Sequence, residues 1–167
     1  MTKTNVLVAN PADVFGPSLQ VGEQRARGLE IDVLGQPWAG ISVIGSYAWT
    51  DAEVTRDTTI ATGSRLPNVP WHAGSVWLTW DLPMLPGLAV GGGVFAAATR
   101  AAVLPNTFDL HGYARWDALA AYRHGRAKLA VNMRNLGNTR YEESGGGFVP
   151  IYPQAGRTVT ASLGYAF

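Results

Sequence analysis

Cysteine is absent from these 167 residues, which excludes a disulfide framework and a thiolate metal site. No run of about 18 apolar residues occurs, so no transmembrane helix is present. Charged residues make up 15%, well under the usual quarter. The 13 Lys+Arg nearly cancel the 12 Asp+Glu, which removes the electrostatic case for nucleic acid as a partner. The opening residues lack the layout of a signal peptide, so an exported product is expected to need residues upstream of Met1. What remains is a chain rich in glycine and aromatics, long enough for one domain.

The clearest pattern lies in the last eleven residues. Arg157, Val159, Ala161, Leu163, Tyr165 and Phe167 fall on one side, and Thr158, Thr160, Ser162, Gly164 and Ala166 on the other. A strand sends alternate side chains to opposite faces, so this stretch has one bulky apolar face and one small polar face. It is as long as the 9–11 residues a tilted strand needs to cross a bilayer. The alternation recurs along the chain. Strands are predicted over residues 3–9, 19–34, from Trp38 to about 50, 72–81, 88–100, 113–122 and 128–135, with no convincing helix. Short turns are predicted at Gly35-Gln36-Pro37, at 82–87 and at His124-Gly125. Long polar connections are predicted at 10–17, 51–68, 101–111 and 138–155, with Gly145-Gly146-Gly147 as a flexible tip.

Connections that alternate short and long place the two ends of a sheet in different environments. That is the layout of an antiparallel transmembrane β-barrel segment of about eight strands, with short periplasmic turns and long extracellular loops. The aromatics agree. Trp38, Trp80, Tyr122, Tyr165 and Phe167 sit at short-turn ends, and Tyr47 and Trp49 near a long-loop end, as two girdles where an amphipathic ring meets both hydrocarbon and water. The opposite faces carry Glu30, Asp32, Arg115, Asp117, Lys128, Asn132 and Arg134, which are costly in a dry core but not in a wet lumen. Arg115, Asp117, Lys128 and Arg134 on neighbouring strands are expected to form a cross-strand charge ladder that solvates and braces the wall or meets whatever fills the lumen, with a polar path for a ligand as the sharper reading. A soluble β-sandwich or β-barrel binding a ligand is the competing architecture, and would pack Trp80 and Leu163 inside. A small structural or autotransporter-type barrel is a third reading. Gly91-Gly92-Gly93 lacks phosphate-loop spacing and is read as a place of close backbone approach. His72, His111 and His124 share no metal-ligand spacing, and neither Ser75 nor Ser162 has the context of a nucleophile. No catalytic, metal or cofactor site is therefore expected.

Six blocks resemble the C-terminal barrel portion of the TonB-dependent siderophore receptors of the Gram-negative outer membrane. They are GEQRARGLEIDVLGQP (22–37), YAWTDAEVTRD (47–57), RLPNVPWHAGSVWLTWDL (65–82), LPNTFDLHGYARWDALAAYR (104–123), LAVNMRNLGNTRYEES (129–144) and YPQAGRTVTASLGYAF (152–167). The chain departs from the family's pattern at Trp71, where a basic residue is usual. It departs again at Gly156, where proline is usual, and at Gly137-Asn138, where an aromatic–acidic pair is common. The resemblance implies a barrel of about 22 strands with a plugged lumen. Residues 1–167 would supply its C-terminal part, and the N-terminal plug, the earlier strands and the segment that TonB grips would lie upstream. It also implies a ferric siderophore as cargo and outer-membrane lipid as surroundings. Arginine and aromatic side chains suit the oxygen-rich surface of such a chelate. Arg65, Trp71, Arg100, Arg140 and Tyr141 in the long connections, with His111, are thus the candidates for ligand contact. Eight strands alone must either close on themselves, leaving an interior just filled by side chains, or stay open at both edges.

Overall fold

β-Branched and aromatic residues alternating with small polar ones build long strands. The computed structural model describes residues 1–8, 17–146 and 151–167. Its main element is one antiparallel sheet of eight strands in the order β1 (Thr2–Val8), β2 (Leu19–Trp38), β3 (Ile41–Arg56), β4 (His72–Asp81), β5 (Leu88–Ala97), β8 (Tyr113–His124), β9 (Ala127–Arg134) and β12 (Thr158–Tyr165). Two small hairpins lie inside the long connections: β6 (Arg100–Ala101) with β7 (Asp109–Leu110), and β10 (Glu142–Gly145) with β11 (Ile151–Pro153). Among the described residues β1 and β12 each pair on one side only, so the sheet stays open. The connection expected at 10–17 lies almost wholly outside the described residues, as does Gly147.

Two short turns fall later than the sequence suggests. β2 runs on through Pro37 to Trp38, and a register shift between Gly35 and Trp38 absorbs the proline's missing N–H. The turn is Ala39-Gly40, where Gly40 supplies a φ of 75°. Likewise His124 is the last residue of β8, paired with Ala127, and the two-residue turn is Gly125-Arg126. Glycine takes the first central position there, with φ 56°. The connection at 82–87 is as expected.

Register sorts the side chains into two faces. One face carries Leu29, Ile31 and Val33 of β2, Ile41, Val43, Tyr47 and Trp49 of β3, and Val76, Leu78 and Trp80 of β4. It continues through Val90 and Val94, then Trp116 and Tyr122, to Leu129, Val131, Met133, Val159, Leu163 and Tyr165. Among the described strand residues, this face has no Asp, Glu, Lys or Arg between the levels of Trp38 and Trp49; Arg157, on the same side by alternation, stands just before the first residue of β12. From Ile41 to Trp49 the face spans about 26 Å along the strand, or about 20 Å once tilted, close to the apolar band of an outer-membrane barrel. Its first charges, Arg27 paired with Asp51 (2.8 Å) and Arg25 paired with Glu53, come just beyond Trp49. The opposite face holds Glu30, Asp32, Ser46, Ser75, Arg115, Asp117, Lys128, Asn132 and Arg134. Ser46 and Ser75 face each other there and share a hydrogen bond at 2.9 Å.

Gly91 and Gly93 serve as read from the sequence. The Trp77 ring of β4 lies across them, and a Cβ on Gly93 would sit 2.5 Å from that ring. The dry core is not between two sheets. Trp80 is 37% and Leu163 79% exposed, which excludes the sandwich alternative. The buried cluster of Val54, Ile60 and Leu104, with Leu66 against it, sits under the long connections. Each such side chain contributes about 1.5–3 kcal/mol. The long connections are therefore folded together as a cap.

Candidate functional site

The cap is tied by asparagines. Pro67 directs the chain into Asn68, which adopts φ 64°. Its amide pairs with the backbone of Gly145, accepting from N–H at 2.7 Å and donating to the carbonyl at 2.8 Å, as a neighbouring strand would. Its own N–H donates to the Ala101 carbonyl at 2.8 Å, so one residue joins all three described long connections. Asn106 does the same for Arg65, accepting from its N–H at 2.7 Å and donating to its carbonyl at 2.9 Å. Gly145, expected in a flexible tip, is instead buried at the end of β10, and a Cβ on it would lie 2.6 Å from that of Ala102. The outer tip of β3 is pinned by Asp57. One carboxylate oxygen accepts from the N–H groups of Thr59 (2.8 Å) and Ile60 (2.7 Å), and the other from Gly22 N–H at 2.8 Å. These donors, Ile60 first, hold the Asp57 carboxyl well below the usual carboxylate range.

A continuous polar path links cap to sheet. Arg100 is 3% exposed and donates to the carbonyls of Glu142 (2.6 Å) and Glu143 (2.8 Å). Its guanidinium lies 5.8 Å from the centre of the Tyr113 ring, which stacks on Tyr141 at 4.0 Å. The Tyr141 hydroxyl accepts from Arg115 at 3.1 Å, and Arg115 pairs with Asp117 at 3.0 Å. Asp117 also accepts from the Asn135 N–H at 2.9 Å. This pairing of Arg115 with Asp117 runs along one strand. Lys128 and Arg134 form no ion pair among the described residues, so the expected cross-strand charge ladder is not what braces the wall.

The ligand-contact candidates therefore separate into three groups. Arg100 and Tyr141 are enclosed in the cap. Arg65 lies over the Trp71 ring at 5.2 Å, and Trp71 packs against Trp49 of the apolar face at 6.3 Å. Tyr47 beside them shares a 2.8 Å hydrogen bond with His72. His111 and Arg140 are exposed on the connections. Below the cap, the polar face has a hollow of about 390 Å³ lined by Glu30, Asp32, Ser46, Ser75, Phe95 and Tyr113. The Arg115 guanidinium lies 4.6 Å from the centre of the Phe95 ring. Phe95, Tyr113 and the asparagines were missed from the sequence. Asparagine directly after proline, at 68 and 106, was the available signal.

Comparison with known proteins places this geometry. Residues 1–136 match the family model described as TonB dependent receptor-like, beta-barrel. The metal-pseudopaline receptor CntO of Pseudomonas aeruginosa is 38% identical over 98% of the chain. The ferrichrome outer membrane transporter/phage receptor of Escherichia coli is 35% identical over all of it. The chain spans 23% of the length of each. Among solved structures, the siderophore receptor PiuA of Acinetobacter baumannii superposes with a TM-score of 0.82 at 25% identity, over 98% of this chain and 24% of that one. The chain belongs to the TonB-dependent receptors and forms part of their β-barrel.

Proposed function

We propose that residues 1–167 are the C-terminal wall of an outer-membrane receptor that imports ferric siderophores with energy from TonB. The observation that carries this is the sorting of charge among the described strand residues: none on one face across a membrane-high band, and eight or so on the other. A Lys or Arg facing lipid at mid-bilayer costs about 2–4 kcal/mol, whereas the same group in a wet lumen costs little. The apolar face accordingly meets outer-membrane lipid, with Trp38, Trp80, Tyr122, Tyr165 and Phe167 at one interface and Tyr47 and Trp49 at the other. The cap lies on the outside of the cell, and the hollow beneath it faces the ligand path. Arg140 and His111 at the cap surface, with Phe95 and Tyr113 below, are the side chains placed to meet a chelate. Arg65 and Trp71 act first as part of the outer girdle. The role is that of a receptor and transporter, not of an enzyme.

The open edges bear on what the chain can do alone. Unpaired N–H and C=O groups of β1 and β12 each cost several kcal/mol in lipid. They call for the family's earlier strands, and the lumen for its N-terminal plug, through which TonB acts. The 167 residues by themselves are therefore not transport-competent. In proteoliposomes the chain is expected to give no ferric-siderophore uptake above empty vesicles, and to need detergent or lipid to stay dispersed. Uptake by the chain alone would overturn the proposal, and so would a monodisperse chain in plain buffer without detergent.

A further inference from the structure

On the apolar face, Tyr47 of β3 leans across β4. A Cβ on Gly74, its register partner, would lie 3.7 Å from the Tyr47 ring and 2.9 Å from the Ser46 carbonyl oxygen. The Tyr47 hydroxyl reaches outward along β4 to Nδ1 of His72, at 2.8 Å. Beside this pair lies a hollow of about 520 Å³ over β4 and β5, with a floor of Gly74, Ala96 and Ala98 and an inner end at Val76 and Val94. It begins at the level of Trp49, the register partner of His72, and runs four residues down the wall to Val76. That is about 13 Å along the strands, or about 10 Å of depth once tilted, half of the apolar band. The mouth of the hollow is polar and positively charged. One ring nitrogen of His72 is held by Tyr47, and the other has no partner among the described residues. Trp71, the preceding residue, carries the Arg65 guanidinium 5.2 Å from the centre of its ring. Arg65 forms no ion pair among the described residues.

We infer that this hollow is a lipid site: one acyl chain of an anionic phospholipid lies along Ala96 and Ala98, and its phosphate sits at the mouth between His72 and Arg65. The inference rests on the reading of the apolar face as lipid-facing. At hydrocarbon depth an apolar hollow gives water no partners, and left empty it forfeits contacts along its walls, so a chain fills it. The small floor admits the chain and the mouth holds the head group, so both ends of one lipid are fixed. The Tyr47 hydroxyl donates to Nδ1 of His72, which leaves the ring proton on Nε2 to donate to the phosphate. The phosphate is also the counter-charge that Arg65 lacks.

The test uses the 167-residue chain in neutral detergent micelles, with the lipid retained per chain counted by native mass spectrometry. Dilauroyl phosphatidylglycerol is expected to bind at least fivefold more tightly than dilauroyl phosphatidylcholine, by a margin that shrinks as salt screens the head group. Dihexanoyl phosphatidylglycerol, with the same head group on shorter chains, should bind at least tenfold more weakly than the dilauroyl lipid. A96F is expected to lower dilauroyl phosphatidylglycerol binding at least tenfold, and A98L replaces it if A96F loses the β-sheet circular-dichroism signal. V90F, on the same face but outside the hollow, should leave binding unchanged. R65Q with H72Q should bring the two dilauroyl lipids level. Equal binding of those lipids to the wild-type chain would overturn the inference, and so would a loss in the filled variant no larger than that in V90F. Inorganic phosphate displacing the lipid would reduce the mouth to a small-anion site and overturn it as well. A chain that stays dispersed in plain buffer would remove the lipid-facing reading and this site with it. A chain that needs detergent yet retains neither lipid would overturn the site alone.

Discussion

The Oδ1 atom of Asn138 accepts a hydrogen bond from the Arg157 backbone N–H at 2.9 Å and lies 2.7 Å from where a Cβ on Gly156 would begin. Gly156 and Asn138, both singled out in the sequence, thus touch. Asn138 also adopts φ 50°, which asparagine tolerates better than most residues. The two residues act as one unit: a side chain that caps the start of the last strand, and a glycine that leaves room for it. G156A is expected to destabilise by about 1 kcal/mol by displacing that cap, and N138G by a similar amount by removing it. The pair together should cost less than the sum by at least about 0.5 kcal/mol, because only one hydrogen bond is there to lose. Urea unfolding of the four proteins in micelles checks this. Strict additivity would show that the contact carries no coupling.

Val76 and Ser75 are neighbours on β4 that point to opposite faces, Val76 51% exposed to the apolar side and Ser75 bonded to Ser46 on the other. V76R is expected to cost about 2–4 kcal/mol in a bilayer. S75R, with the same added charge one residue away, should cost less than 1 kcal/mol. The measurement is the folded fraction in lipid vesicles over a urea series. Equal costs, or a larger cost for S75R, would mean that the faces have been assigned the wrong way round.

How much of this was legible in the sequence depends on the range of the interaction that decides each feature. The faces of β4, β9 and β12 follow from alternation alone, because a strand's side-chain period is fixed by its backbone. The turns were placed to within two or three residues. The error at Pro37 arose because proline was read as a breaker, whereas a register shift lets β2 carry it at its end. The cap was read only as polar loops. Asn68 and Gly145 are 77 positions apart and Asn106 and Arg65 are 41 apart, and no local pattern announces such pairs. For the same reason Arg100, which looked like a free cation in a loop, is a buried pin. Its partners are backbone carbonyls, which sequence does not distinguish from any others.

Asp57 gives the cap a pH limit with a definite sign. Its carboxyl is held below the ordinary carboxylate range by the N–H groups of Ile60, Thr59 and Gly22. A carboxylate depressed by folding adds stability that is fully present above its unfolded pKa of about 3.9 and is lost as pH falls below that toward the folded value. The amide resonances of Gly22 and Ile60 are therefore expected to stay constant from pH 7 to about 4 and to move only under more acid conditions. In D57N, which keeps one acceptor oxygen but no charge, they should differ from wild type at pH 7. A wild-type midpoint at or above about 4 would remove the assigned role of these donors.

Asn68 is the residue on which the cap's integrity turns, since among the described residues it alone bonds to both Ala101 and Gly145. N68A removes two side-chain hydrogen bonds, leaves the Gly145 N–H and carbonyl without partners in a buried place, and puts a β-carbon residue without asparagine's tolerance at φ 64°. Each of the first two losses costs about 1–3 kcal/mol locally. The sheet does not depend on this residue, so the cost should appear in the cap and not in the wall. Limited proteolysis of the micelle-bound chain is expected to cut N68A within residues 57–71 and 98–112 at least tenfold faster than wild type. The β-sheet circular-dichroism signal should be unchanged. N68D, which retains the acceptor for the Gly145 N–H but turns a second oxygen on the Gly145 carbonyl, should be cut at least as fast. Wild-type resistance in either variant would mean that the buried pin at Arg100 and the Val54 cluster hold the cap without this residue.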